Sequence, residues 1–365
     1  MNLREQKFNS NIEDLHQQAV NLLKKIIATP SLSREEYDVS LVIENFFKDQ
    51  LIPTNRLYNN IWAVNKYFEA KKPSILLNTH HDTVKPNKAY TMDPFVLVER
   101  EGKLFGLGSN DAGASLVSLT QTFLHFYERE DLDYNLIIAL TAEEEISGTH
   151  GIEVLFKDLP NVELAIVGEP TKMNLAITER GLLVIDGVME GTASHAAHPN
   201  RDSAIVKCLD DLQHILAFKF PKVSEHLGDV KVTLSVINAG SQHNVVPDKC
   251  YFTLDVRVTD VYTNKEVFEI IQSEMKSKLT PRSFRLNSSR IAIDHPFVQA
   301  GLAVGRTTYA SPTSSDQAII PCTSVKIGPG DSLRSHTADE FIYLDEIKEG
   351  IEIYIQILEK VLVKN

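Results

Sequence analysis

The 365-residue sequence predicts an α/β fold, with a largely parallel sheet interrupted by a smaller α+β domain. Three observations carry that expectation. Up to about residue 179, short apolar runs alternate with amphipathic helical stretches, the pattern of layered α/β architecture. From about residue 180 to 290 the order becomes β-α-β-β-α-β, a split βαβ plan. Beyond about residue 290 the first texture returns. The expected organisation is therefore a discontinuous larger domain, 1–179 and 291–365, with 180–290 inserted into it.

Taken in order, Ile12, Leu15, Ala19, Leu22, Leu23, Ile26 and Ile27 fall on one face at helical spacing, and the segment TPSLS around Pro30 ends that helix. A second helix is expected over 37–47, and strands over 61–67, 75–79, 136–141 and 164–167. A helix is expected over 112–126. In the insertion the spacing predicts strands at 182–188, 230–237 and 251–258, helices at 204–218 and 265–279, and a last strand near Phe284. Leu344, Ile347, Ile351, Ile355 and Leu358 mark a closing helix.

Composition limits the function classes. Hydrophobic residues make up 43% and charged residues 24%, which excludes a mostly disordered chain. Thirty-seven Lys and Arg against 49 Asp and Glu leave a net charge of −12, which argues against nucleic-acid phosphates as the main partner and against anionic membrane. Cys208, Cys250 and Cys322 form no CxxC, as expected in a reducing compartment without thiolate zinc sites. The N-terminal residues lack the apolar core of a signal peptide, and no run approaches the ~18 apolar residues of a membrane span. A soluble, cytoplasmic protein is expected.

Five places combine metal-ligand residue types with strand ends or tight turns. In LLNTHHDTV, His80 leaves the end of a buried-type strand, where open α/β sheets bind ligands, and Asp82 shares its face two residues on. A carboxylate beside a ligating imidazole fixes its tautomer. In LFGLGSNDAGAS, Asp111 follows two glycines. A dinucleotide loop is disfavoured, because Asp111 would face the pyrophosphate. A plain helix N-cap remains the simpler reading of that motif alone. In LTAEEEIS, a core strand delivers Glu143, Glu144 and Glu145 together. Adjacent carboxylates repel unless compensated, so one could ligate a metal while its neighbour acts as a base. AIVGEPT places Glu169 at another strand end, and IGPGDSLRSHTADEF places His336 in a Gly/Pro-rich loop. Imidazole and carboxylate without thiolate suit zinc, cobalt or manganese, and a two-metal hydrolytic site needs such a set.

These motifs, in this order from about Ser74 to Glu340, resemble the M20 metallopeptidase family of acetylornithine deacetylases, succinyl-diaminopimelate desuccinylases, aminoacylases and glutamate carboxypeptidases. The resemblance implies that the insertion is a lid and dimerisation domain. It implies one zinc on His80 and Glu169, another on Glu145 and His336, and Asp111 bridging them. Asp82 would orient His80, and Glu144 would be the general base. In GTASHAAHP, His195 would stabilise the oxyanion, reaching across a dimer. Asn244 in NVVP and Arg257 in LDVRV would hold the substrate's α-carboxylate. Two features depart from the family pattern: Ala112, Gly113 and Ala114 follow Asp111 where the family often has x-Lys-Gly, and Glu143 stands where Asp is common.

The expected activity is removal of an N-acyl group from an amino acid, with two Zn²⁺ or Co²⁺ ions. Nα-acetyl- or succinyl-ornithine, in arginine biosynthesis, is the leading substrate, on the look of SPTSSDQA and the His336 loop. The alternatives are a succinyl-diaminopimelate desuccinylase, a dipeptidase or carboxypeptidase, or a metal-bound relative that binds small molecules without catalysis. No nucleic acid or membrane partner is expected, and a homodimer through the lid is.

Overall fold

The computed structural model describes residues 11–363, which fall into two compact units. The first contains residues up to Ile177, with Ile291–Tyr309 and the chain from Ser315. The second contains Thr178–Arg290 and also Ala310–Ser314, a short piece that the sequence reading groups with the larger domain.

The first unit is built on a mixed sheet. Ser74–His80 runs parallel to Asn135–Thr141 on one side and to Val162–Val167 on the other, and Thr323–Lys326 pairs in parallel with Val162–Val167. Antiparallel strands flank these four: Asn60–Val64 beside Asn135–Thr141, then Asn55–Leu57, and at the other side Leu175–Glu179 through Lys326 and Ala176. Side-chain alternation assigns the two faces. Ile75, Leu77, Leu136, Ile138, Leu140, Leu164 and Ile166 join one core, whereas Leu76, Ile137, Ala139, Ala165 and Val167 join the other. A sheet covered on both faces needs apolar residues at every position, which is why these strands read as continuous apolar runs.

Helices cover the larger core. Ile12–Ile27 is capped by the Asn11 side chain, which accepts from Asp14 N, and buries Leu15, Ala19, Leu22, Leu23, Ile26 and Ile27. Ala114–Phe126 is buried along almost its whole length, and Leu344–Leu362 packs Ile347, Ile351, Tyr354 and Leu358 inward. The Tyr354 hydroxyl donates to the Ile327 carbonyl, so its one polar atom is satisfied.

The second unit is a four-stranded antiparallel sheet in the order Lys231–Ala239, Lys249–Val258, Gly181–Glu190, Lys278–Pro281. Ala204–Ala217 and Asn264–Glu274 pack their apolar stripes into its core. One expectation is corrected here. The second helix ends at Glu274 instead of running to 279, and the last strand is Lys278–Pro281, ahead of Phe284. The buried Asp211 carboxylate accepts from Lys276 N, Ser277 N and Ser277 Oγ, drawing the chain out of helical geometry into the sheet. Among the described residues no helix is long and apolar enough to cross a membrane.

Candidate metal centre

Four of the five motifs leave the sheet at the C-terminal ends of parallel strands or enter the helix behind them. Ser74–His80 ends on His80, Asn135–Thr141 leads into Glu143–Glu145, and Val162–Val167 into Glu169. Gly168 is a glycine for steric reasons, since a Cβ there would sit 2.7 Å from Leu119 Cδ1. Gly108, at φ 75°, lets the chain turn toward Asp111, and a Cβ on it would lie 2.6 Å from Thr83 Cγ2. Asp111 is not a helix cap: its backbone is non-helical at φ −119° and ψ 99°, and the helix starts at Ala114 without a side-chain cap.

The side chains of all five motifs converge. His80, Asp111 and Glu169 offer ligand atoms within 4.8 Å of one another, and Asp111, Glu145 and His336 do the same, so the two triads share Asp111. His80 Nε2 lies 3.3 Å from Asp111 Oδ1 and 3.7 Å from Glu169 Oε1. His336 Nε2 lies 3.0 Å from Glu145 Oε2 and 3.7 Å from Asp111 Oδ2. Glu144 belongs to neither triad, and its Oε2 stands 4.0 Å from His80 Nε2.

Asp82 is buried and serves both sides of this cluster. Its Oδ1 is 3.5 Å from His80 Nδ1, and its carbonyl is 2.9 Å from the same nitrogen. Its carboxylate also accepts from Glu144 N at 3.0 Å and Glu145 N at 3.2 Å, fixing the turn that carries both glutamates. Glu143 points elsewhere, accepting from His150 N at 3.2 Å. His81 turns away from His80 and meets the Asn59 carbonyl at 3.0 Å.

The electrostatics are those of a cation site. Burial, then the Asp111 charge, push the Glu169 carboxyl up to about 8, and burial holds Glu144 well above the usual carboxylate range. Burial opposes charge on His80, but hydrogen bonds to Asp111 and Asp82 overcome it and raise the imidazole well above its ordinary value. The Glu145 hydrogen bond pushes His336 up to about 9. Packed carboxylates of this kind repel one another until positive charge compensates them. Two imidazoles and three carboxylates without a thiolate fit borderline dications such as zinc or cobalt.

Sequence reasoning missed two residues that hold the cluster. Glu340, itself buried, accepts from Gly108 N at 3.1 Å, Asn110 N at 2.8 Å and Asp111 N at 2.9 Å, and so anchors the loop that bears the shared carboxylate. Ser33 Oγ donates to Asp82 Oδ2 at 2.7 Å. Ser33 lies in the TPSLS segment, which reads only as a helix end, and Glu340 reads as one more acid in a loop.

His195, Asn244 and Arg257 lie in the second unit. The short strand Ser194–His195 pairs with Val245–Val246, and Ala196 N donates to the Asn244 carbonyl at 3.0 Å, so His195 and Asn244 are neighbours. Arg257 is at the far end of the strand Lys249–Val258. At about 3.3 Å per residue that is roughly 26 Å from Lys249. Its guanidinium pairs with Asp255, with Nε at 2.7 Å and Nη2 at 3.1 Å from the carboxylate oxygens.

Fold and cluster together define an α/β protein that gathers acid and imidazole ligands at the C-terminal edge of its sheet, with one further carboxylate beside them. Residues 76–360 match peptidase family M20/M25/M40, and the chain belongs to that family. It is 26% identical to a Staphylococcus aureus protein named "Probable succinyl-diaminopimelate desuccinylase", over 92% of this chain and 95% of that one. It is 25% identical to the acetylornithine deacetylase of Shigella sonnei, over 93% and 96%. The fold is shared with aminopeptidase PepT from Bacillus cereus at a TM-score of 0.73 and 18% identity, covering 95% of this chain and 98% of that one. The chain is a hydrolase of amide bonds, of the metallopeptidase and deacylase kind.

Proposed function

We propose that the protein removes an N-acyl group from an amino acid with the help of two divalent cations, Zn²⁺ or Co²⁺, and that Nα-acetyl- or succinyl-ornithine is its substrate, in arginine biosynthesis. The observation that carries the reading is the pair of adjoining triads sharing Asp111, with Glu144 outside both. His80, Asp111 and Glu169 would hold one ion, and Asp111, Glu145 and His336 the other. Bound there, the ions would supply Lewis acidity, lowering the pKa of water and polarising the amide carbonyl.

The chain's own groups do the rest. Glu144, uncommitted and raised in pKa by burial, accepts a proton from the attacking water and returns it to the leaving amine nitrogen. Asp82 keeps His80 in one tautomer and holds Glu144 and Glu145 in register through their backbone amides. His195 stabilises the developing oxyanion, and Asn244 and Arg257 bind the substrate's carboxylate.

Arg257 lies roughly 26 Å along the inserted sheet from Lys249, at about 3.3 Å per residue, whereas His195 sits on a separate two-stranded ribbon whose Val245–Val246 strand leads into that sheet at Lys249, so the two residues belong to different ends of the unit. This supports a homodimer in which His195 and Asn244 serve the second copy. The edge strand Lys231–Ala239 supports it too, since Val236 and Ile237 are 45% and 44% exposed and Val206 and Leu209 stand open on the helix Ala204–Ala217.

Stripping the ions with a chelator is expected to abolish turnover of N-acyl amino acids, and Zn²⁺ or Co²⁺ to restore it. Unchanged turnover in a fully metal-free sample would refute the mechanism. Glu144→Gln is expected to retain metal while losing ~10²–10⁴-fold in kcat. Normal turnover in that variant would leave the base elsewhere. Succinyl-diaminopimelate desuccinylation is the second reading, favoured by the Staphylococcus aureus relative. Comparing kcat/KM on acetyl-ornithine, succinyl-ornithine, succinyl-diaminopimelate and a dipeptide separates the two.

A further inference from the structure

Within the first unit lies a cleft of about 580 Å³ that the reaction above leaves unused. That volume is ordinary for a small-ligand site, ~300–1,000 Å³. Arg34, Glu36, Tyr58, Asn59, Glu143 and His150 line it. Three of these hold left-handed backbones without being glycine: Arg34 at φ 75°, Tyr58 at 55° and Glu143 at 59°. Bulky residues rarely adopt that conformation, and where they do they concentrate at functional sites and ligand clamps.

The charges in the cleft are unequally committed. Glu36 is wholly buried and accepts from the Arg34 backbone N–H and from Asn59 Nδ2 at 3.0 Å. Burial pushes its carboxyl up, toward the neutral form. Glu143 is occupied by His150, through the backbone amide at 3.2 Å and Nδ1 at 3.5 Å. The Arg34 guanidinium is exposed and has no partner among the described residues. Tyr58 and His150 form part of the cleft wall, their ring centroids 4.6 Å apart and their planes tilted by 34°.

The cleft adjoins the metal cluster by two short paths. Arg34 follows Ser33, which bonds Asp82, and Glu143 precedes Glu144. We propose that this cleft is a subsite for a small organic carboxylate, paired with the Arg34 guanidinium and with its carbon skeleton against the Tyr58–His150 wall. A planar guanidinium with all its donors free matches a carboxylate bidentately. Two sources share this chemistry: the remote carboxylate of an extended substrate, such as an N-succinyl amide, which rests on the deacylase reading, and a separate free acid, which does not.

The test is calorimetric titration of succinate into the Zn²⁺-loaded wild type, Arg34→Gln and Tyr58→Ala. The metal ions accept carboxylates in all three, so the difference between them isolates the cleft. The wild type is expected to show a binding event weakened at least tenfold in both variants, with melting temperature and turnover of an N-acetyl amino acid unchanged. A KM for the N-succinyl substrate raised at least tenfold in Arg34→Gln, with the N-acetyl KM unmoved, assigns the subsite to the substrate. Lost succinate binding with both KM values unmoved assigns it to a separate acid. Identical succinate titrations in wild type and Arg34→Gln overturn the proposal, as does a parallel loss on the N-acetyl substrate. If the wild type hydrolyses neither substrate class, the deacylase reading fails and the titration still decides the cleft.

Discussion

Two of the ligand-bearing loops are each held by a buried carboxylate that is not itself in a triad: Asp82 holds Glu144 and Glu145, and Glu340 holds Asp111. Glu340→Gln turns an acceptor oxygen into a donor facing backbone N–H groups. Metal affinity is expected to fall about 10–100-fold, as for other residues that orient ligands. Competition with a chelator measures this, and wild-type affinity would deny Glu340 the role. His81 supplies a pH prediction. Burial pushes its imidazole down to about 4, from an ordinary value of 6.5 when unfolded. The unfolded chain therefore takes the proton first. The contribution is complete above about pH 6.5 and is lost as pH falls toward 4, by about 2–3 kcal/mol. Urea unfolding of the metal-free protein at pH 7 and 4.5 should show His81→Gln losing correspondingly less stability than wild type across that interval. His80, Asp111, Glu145, Glu169 and His336 were legible because each follows an apolar run or a glycine turn. Ser33 and Glu340 were not, because no spacing links residue 33 to Asp82 or residue 340 to Asp111.

At the level of elements, periodicity reads long helices and doubly buried strands well, because burial repeats along them. It reads short ones poorly. Thr323–Lys326 is a central strand with Ser324 and Lys326 buried, so its four residues carry no strand signature. Leu175–Glu179 was likewise not anticipated. The overlong helix at 265–279 shows the opposite failure, since its pattern continues until a distant acid intervenes. Asp211→Ala would leave two backbone amides and a hydroxyl without their acceptor. A loss of about 2–3 kcal/mol in unfolding free energy is expected, and an unchanged denaturation midpoint would show that the strand Lys278–Pro281 docks without it.

For the molecule as a whole, the proposed homodimer makes the inserted sheet the element to test. Ile237→Lys places a charge on the exposed edge strand of the second unit, which carries none of the cluster's ligands. It is expected to give monomers by analytical ultracentrifugation with the ions still bound. If His195 acts on the second copy, those monomers lose turnover in step with association. Monomers with full kcat would return the oxyanion role to some other group.

By itself the sequence determined the layered class, the inserted β-α-β-β-α-β segment and the residue types at the strand ends, because each is a local property of periodicity and turn chemistry. Packing and register set the rest: that Glu340 anchors the Asp111 loop, that Glu143 faces His150 instead of the cluster, and that His195 and Arg257 stand on two different sheets. These are distances between residues far apart in the chain. They are set by strand register and packing, which no local pattern encodes.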